Sequence, residues 1–255
     1  MHLDVVDLIE FYKRPLGRLT REVLRKKILE FWPNVTGDRI CGIGYATPYL
    51  RPFLKDAERV MAFMPAPQGV AAWPRYGPNR AALVLEAMFA LPDSCIDRAV
   101  LIHSLEMAHH PRELLQEVWR VLTPGGRLLA VVPNRSGLWA RMDSTPFGYG
   151  RPFSRGQMSH LLKDVSFSPI GWREALMMPP MFKQPRKSTA RTWERLGCRF
   201  WPAFSGVIVV EAEKLLHQGI PAKASAARRL SPIFAPQGAF STRDAVTAPG
   251  KSRLG

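Results

Sequence analysis

Residues 90–135, ALPDSCIDRAVLIHSLEMAHHPRELLQEVWRVLTPGGRLLAVVPNR, decide the fold. Arg98 to Ile102 is an apolar run of strand length, and Arg127 to Val132 is a second one rich in Leu and Val. Between them Leu114, Leu115, Val118, Val121 and Leu122 recur at helical spacing, and Thr123-Pro124-Gly125-Gly126 supplies a stop signal. Strand, helix and strand in about 35 residues make a βαβ unit, which implies a parallel sheet with helices on its faces. Periodicity alone is equally compatible with a bare α/β core fragment.

Outward from this unit, further strand candidates recur at Arg39 to Ile43, Arg59 to Phe63 and Ala82 to Leu85, then near Pro169 to Met177 and Gly206 to Glu211. Asp4 caps a predicted helix over Val5 to Lys13, and Pro15 opens a second over Leu16 to Phe31. In the second, Leu16, Leu19, Val23, Leu24, Ile28 and Phe31 share a face, with Arg18, Arg21, Arg25 and Lys26 opposite. A short helix is expected over Pro48 to Leu54, and Ser154 caps another through Lys163. Pro65, Pro67, Pro74 and Pro78 make the second crossover irregular. Trp193, Trp201 and Phe204 read as core, and His109 and His110 as solvent-facing.

The chain carries 36 Lys and Arg against 21 Asp and Glu, a net charge of +15. Such a surface attracts nucleic acid, an anionic membrane surface or a phosphorylated substrate, and it equally suits a solvated face. Part of the excess lies in residues 218–255, where six bases face the single acid Asp244. That segment, rich in Ala, Ser, Pro and Gly, is expected to be a disordered tail behind a domain spanning 1–217, whose first 32 residues are helical. No window holds enough uninterrupted apolar residues for a transmembrane segment. Acids at Asp4, Asp7 and Glu10 stand where a signal peptide would be basic and then apolar, so a cytoplasmic location is expected. Cys41, Cys95 and Cys198 are too widely spaced for a metal site or a disulfide framework, and no metal is expected.

The first strand ends in ICGIGYATPYL, with Gly42, Gly44 and Ala46 at alternating positions before a helix. Small residues there let a ligand approach backbone amides, although glycine also serves turns for its φ alone. Taken with FALPDSCID (Phe89 to Asp97) and RVLTPGG (Arg120 to Gly126), the pattern resembles the class I S-adenosylmethionine-dependent methyltransferases, most closely their small-molecule, type 11 group. The resemblance covers roughly Leu16 to Lys214. It implies an α/β, Rossmann-like, seven-stranded and mostly parallel sheet, with helices on both faces and a C-terminal antiparallel strand. Two family positions differ. Gly42 stands where the family has the acid that helps hold the methionine amino group, and Met64 where it has the acid for the ribose hydroxyls. Glu106-Met107 stands where relatives often carry Glu-His.

The resemblance implies S-adenosyl-L-methionine as cofactor, with Tyr12, Gly42, Gly44, Tyr45, Ala46, Met64, Glu86, His103 and Ser104 around it. His103 is the candidate general base if the acceptor needs one, and otherwise a satisfied histidine at a strand end. Methyl transfer is an in-line displacement in which positioning and desolvation supply much of the rate, so a base is optional. Trp139, Arg141, Phe147, Tyr149 and Arg151, in the long loop after Pro133, are candidate acceptor contacts. Aromatics with arginines suit a planar anionic acceptor or a stacked nucleotide, and they equally suit packing of the loop. The implied function is methyl transfer to an unidentified small or medium-sized acceptor. The alternatives are a catalytically degenerate fold kept for binding or regulation, or an RNA methyltransferase using the basic surface.

Overall fold

The computed structural model describes residues 3–182, 187–200 and 204–216. The predicted tail over 218–255 and Trp201 lie outside the described residues. Two helices open the chain. In α1 (Val5–Lys13) the Asp4 carboxylate accepts the Val6 N–H at 3.1 Å, and α2 (Pro15–Phe31) begins on Pro15, whose missing N–H would be unpaired there anyway. Then follow β1 (Arg39–Gly44), α3 (Thr47–Leu50), β2 (Arg59–Pro65), β3 (Ala81–Val84), β4 (Ile96–Ile102), α4 (Pro111–Val121), β5 (Leu122–Pro133), α5 (Arg155–Asp164), β6 (Phe167–Ala175), α6 (Lys187–Phe200) and β7 (Val207–Lys214). No helix among the described residues is long and apolar enough to cross a membrane.

The seven strands form one sheet in the order β3-β2-β1-β4-β5-β7-β6. Strands β1 to β5 pair in parallel, while β7 runs antiparallel to both β5 and β6. Because side chains alternate along a strand, each central strand feeds two cores. Ile40, Val100, Ile102, Leu129 and Val131 meet Leu8, Phe11, Leu24 and Ile28 from α1 and α2. Cys41, Ile43, Ala99, Leu101, Leu128 and Ala130 meet Leu114, Leu115, Val118, Met158 and Leu162 from α4 and α5. Helices therefore cover both faces.

Three local expectations need correction. The helix expected over Pro48 to Leu54 is one α turn followed by a 3-10 turn over Arg51–Leu54, since Pro52 has no N–H to continue the α ladder. The stop at Thr123-Pro124-Gly125-Gly126 is absorbed into β5. Leu122 pairs with Ile96 and Arg127 with Arg98, so the proline and glycines bulge out of a continuous strand. Trp193 and Phe204 are exposed rather than core, whereas His109 and His110 are solvent-facing as expected.

Arg120, on the last turn of α4, locks the 90–135 unit together. Its guanidinium donates to both Glu117 carboxylate oxygens at 2.7 and 2.8 Å, to the Leu91 and Phe89 carbonyls at 3.0 and 3.2 Å, and to Asp93. The Glu117 carboxylate also accepts the Phe89 N–H at 2.6 Å. A planar fork can serve all these acceptors and an ammonium cannot. Arg120→Ala is expected to cost about 2 kcal/mol of unfolding free energy by leaving these acceptors unpaired. Arg120→Lys should recover less than half of that loss, as read from urea midpoints.

The Arg120 hydrogen bond holds the Glu117 carboxyl below its ordinary range against the opposing effect of burial. Burial would raise Asp97, but the side-chain and backbone hydrogen bonds of Arg39 together outweigh it and lower the carboxyl. Both folded values lie below the unfolded ones, so both contributions are complete above the unfolded carboxyl range and are lost as the pH falls through the folded values. The urea midpoint should therefore fall from about pH 5 downward. An Asp97→Asn, Glu117→Gln double variant should show a shallower acid slope over the same range.

Candidate functional site

The turn after β1 and the end of β4 meet where the strand order reverses, the place where open α/β sheets take ligands. Gly44 makes that approach possible. It has φ +81°, and a Cβ there would stand 2.4 Å from the Ile102 carbonyl oxygen and 2.8 Å from that of His103. At Gly42 a Cβ would meet Leu50 Cδ1 at 2.5 Å and Ala46 Cβ at 2.7 Å. The position lacking the family's acid is therefore filled by the apolar side chains of α3 and the turn before it. Met64, at the other position, is fully buried, and its Sδ accepts the Ala71 N–H at 3.4 Å.

His103 is buried with its backbone in the left-handed region, φ +52°, an unfavourable conformation for a residue with a side chain. Its Nε2 lies 2.8 Å from the Tyr12 hydroxyl, which accepts a hydrogen bond from Tyr49 at 2.9 Å. A neutral imidazole that accepts the Tyr12 proton at Nε2 carries its own on Nδ1, which faces Glu106 Oε1 at 3.3 Å. Burial, then the charge and hydrogen bond of Tyr49, raises the Tyr12 pKa well above its ordinary value. Burial raises Tyr49 as well, against its hydrogen bond to Tyr12, and pushes Tyr45 up to about 12. All three stay protonated. Tyr45 stacks on Tyr12 with ring centroids 5.5 Å apart, and Phe147 lies 4.7 Å from the His103 ring.

The segment after β2 closes the opposite side. The Gln68 amide nitrogen donates to the His103 carbonyl at 2.9 Å, and the remaining space lined by Leu3, Pro65, Pro67, Gln68, Glu86, His103, Ser104 and Met107 is about 10 Å³, room for one water. Two buried polar atoms here, Gln68 Oε1 and Ser104 Oγ, have no hydrogen-bond partner, and His103 Nδ1 and Glu106 Oε1 face only each other. Glu86 lines the space, but its Oε2 accepts the His109 N–H at 3.1 Å.

The predicted cofactor residues thus converge on one place, with the chain's own side chains in it. The predicted acceptor residues do not converge. Trp139 and Phe147 are buried and meet edge to face, packing the loop onto the domain, while Arg141 and Arg151 are exposed. Tyr149 lines a separate cleft of about 230 Å³ with Asp7, Glu10, Phe11, Arg14 and Asp143. Its walls carry more carboxylates than cations, the reverse of the charge expected for an anionic acceptor. Sequence reading passed over Gln68 and Tyr49. Glu106 was legible at three residues from His103, as a carboxylate able to reach the ring.

Residues 39–130 match the family model described as a methyltransferase domain. No curated protein matches in sequence. Among solved structures the chain is similar to a methyltransferase of Thermotoga maritima described as a possible histamine N-methyltransferase, at 13% identity and TM-score 0.56, covering 82% of this chain and 95% of that one. It is also similar to an S-adenosylmethionine-dependent methyltransferase of Mesorhizobium loti, at 16% identity and TM-score 0.53, covering 74% and 96%. A third similar structure is the [4+2]-cyclase SpnF, at 18% identity and TM-score 0.52, covering 76% and 81%. At these identities the likeness is one of fold, and SpnF marks how far chemistry varies on it. The matched segment and the strand order are those expected of the class I S-adenosylmethionine-dependent methyltransferase family.

The cofactor of that family is S-adenosyl-L-methionine. The residues as arranged here do not fit it, because a cofactor site occupies roughly 300 Å³ or more and the space between Gln68 and His103 holds about 10 Å³. Returning the family's acid would not restore it. Gly42→Asp is expected to destabilise the protein by about 3 kcal/mol, through overpacking against Leu50 and burial of an unpaired carboxylate. A thermal melt beside Gly42→Ala, which overpacks without adding charge, checks this.

Proposed function

We propose that this protein transfers methyl groups from S-adenosyl-L-methionine to a small or medium-sized acceptor, from a state in which the seat described above has opened. The observation that carries this reading is the pair of unpartnered atoms Gln68 Oε1 and Ser104 Oγ beside a buried His103–Glu106 pair. A buried polar atom without a partner costs about 1–3 kcal/mol, and native proteins keep few of them. Two at the switch point of the sheet, next to a buried His–Glu pair, support a site built to receive a polar ligand. His103, backed by Glu106, is the group able to hold a proton drawn from an acceptor. The cleft beside Phe11 and Tyr149, with its excess of carboxylates, supports a cationic or amine-bearing acceptor over an anionic one.

A second reading is a closed binding or regulatory module, favoured by the apolar packing at Gly42 and the buried Met64. Arg18, Arg21 and Arg25, exposed along α2, are the surface on which such a module, or an RNA methyltransferase, would meet phosphates. Calorimetric titration with S-adenosylhomocysteine separates the two. Methyl transfer requires a dissociation constant tighter than about 1 mM. Heat of dilution alone up to that concentration, together with salt-sensitive retention of RNA, would replace the first reading with the second.

A further inference from the structure

We infer that the crossover between β6 and β7, with α6 at its centre, is a docking element for an anionic lipid bilayer, seated in the headgroup layer by exposed apolar side chains among cations. Such docking does not depend on the methyltransferase reading. Five large apolar side chains of the crossover stand in solvent: Met181 is 64% exposed, Phe182 44%, Trp193 41%, Leu196 47% and Phe204 61%. α6 turns polar and small residues inward instead. Glu194 Oε1 accepts the Met177 N–H at 2.7 Å, and Glu194 shares a small space with Leu19 and Val23 of α2. At Gly197, three residues on, a Cβ would stand 2.5 Å from Met177 Cβ. The helix thus packs through a carboxylate and a glycine, while Trp193 and Leu196 are left outside. A helix made only for water would do the reverse.

Charge decides what covers this surface. Over residues 181–204 the sequence has Lys183, Arg186, Lys187, Arg191, Arg195 and Arg199 against Glu194 alone, and Glu194 is the carboxylate turned inward. A second copy of this chain, at +15, or its own residues 218–255, with six bases against one acid, would bring like charge to it. Nucleic acid would answer the cations and stack on Trp193 and Phe204, but it offers nothing to Met181 and Leu196. A bilayer with anionic headgroups answers both, taking the cations at its surface and the apolar side chains just beneath it. The place of the crossover in the fold gives docking a use. β7 begins at Val207 opposite Pro133, where β5 ends, and Ala175, where β6 ends, pairs with the same residue. The Gly206 N–H donates to the Leu176 carbonyl at 3.0 Å, which pinches the crossover at its base. It therefore leaves from the sheet edge that also carries Gly44 and His103, and docking brings that edge to the membrane.

The test is co-sedimentation of the full chain with vesicles of equimolar phosphatidylglycerol and phosphatidylcholine, beside vesicles of phosphatidylcholine alone and a single-stranded RNA oligonucleotide. Docking requires binding to the anionic vesicles, weakened about tenfold or more by Trp193→Ser combined with Leu196→Ser. Arg195→Ala should weaken it about fivefold, the share of one cation at such a surface. Trp193→Phe should stay within about twofold of the parent, because an aromatic ring still enters the interface. All three side chains are exposed, and a parental circular-dichroism spectrum confirms that each variant is folded. Anionic vesicles bound equally by the parent and the double variant, or not bound at all, would overturn the docking element, as would equal binding to phosphatidylcholine alone. RNA retention lost in the double variant without vesicle binding by the parent would give the surface to nucleic acid. Self-association in sedimentation velocity, lost in the double variant and again without vesicle binding, would give it to a second copy.

Discussion

A histidine that has lost contact with water must find its partners inside the protein, and His103 organises this molecule around that requirement. It ends β4 at the point where β1, passing as close as Gly44 allows, crowds its backbone. Its two ring nitrogens and its carbonyl are met by three different parts of the chain: Tyr12 of α1, Glu106 of the following turn, and Gln68 after β2. Each of those partners is itself buried, so each draws in a further group. Tyr12 takes a hydrogen bond from Tyr49, and the second Glu106 oxygen takes the Ser104 N–H at 3.2 Å. The polar network and the position of the N-terminal helix are thus one structural fact.

The fold was legible because its scaffold is written in local periodicity. The apolar spacing of Leu114, Leu115, Val118 and Val121 demands a helix on a sheet, and the acceptors around Arg120 are supplied within about one βαβ unit. Errors arose where a local signal met tertiary pairing. Pro124-Gly125-Gly126 reads as a stop, yet β4 extends to Ile96 and draws Leu122 into the ladder. Trp193 and Phe204 read as core because large aromatics usually are, but no local pattern says which face of a helix or turn meets the sheet.

That the predicted cofactor residues meet was legible in the sequence, and what fills the place where they meet was not. Tyr12, Gly44, Tyr45, Met64, His103 and Ser104 do come together, because a βαβ fold carries the ends of β1, β2 and β4 to one edge whatever fills them. What occupies the middle depends on contacts between residues 35 and 91 positions apart, Gln68 with His103 and Tyr12 with His103. Such pairs leave no trace in periodicity. The missing acids at Gly42 and Met64 were visible, and their meaning was not: the apolar packing of Leu50 against Gly42 is what turns a lost ligand contact into a structural one.

That packing bears on how such a fold can lose or keep its chemistry. A carboxylate facing a wet cleft can be replaced at small cost to stability, but the place it leaves is refilled only if neighbours move in. Here α3 is a single turn, and Leu50 and Ala46 lie where Cβ of any residue at 42 would go. The methionine side of the seat is therefore committed to an apolar contact. The His103 side holds two unpaired polar atoms, Gln68 Oε1 and Ser104 Oγ, that packing alone gives no reason for. A fold drifting toward a purely structural role would be expected to lose such atoms first, since each costs stability and returns none. Their presence on one side beside apolar packing on the other argues for a ligand held chiefly from the β4 side.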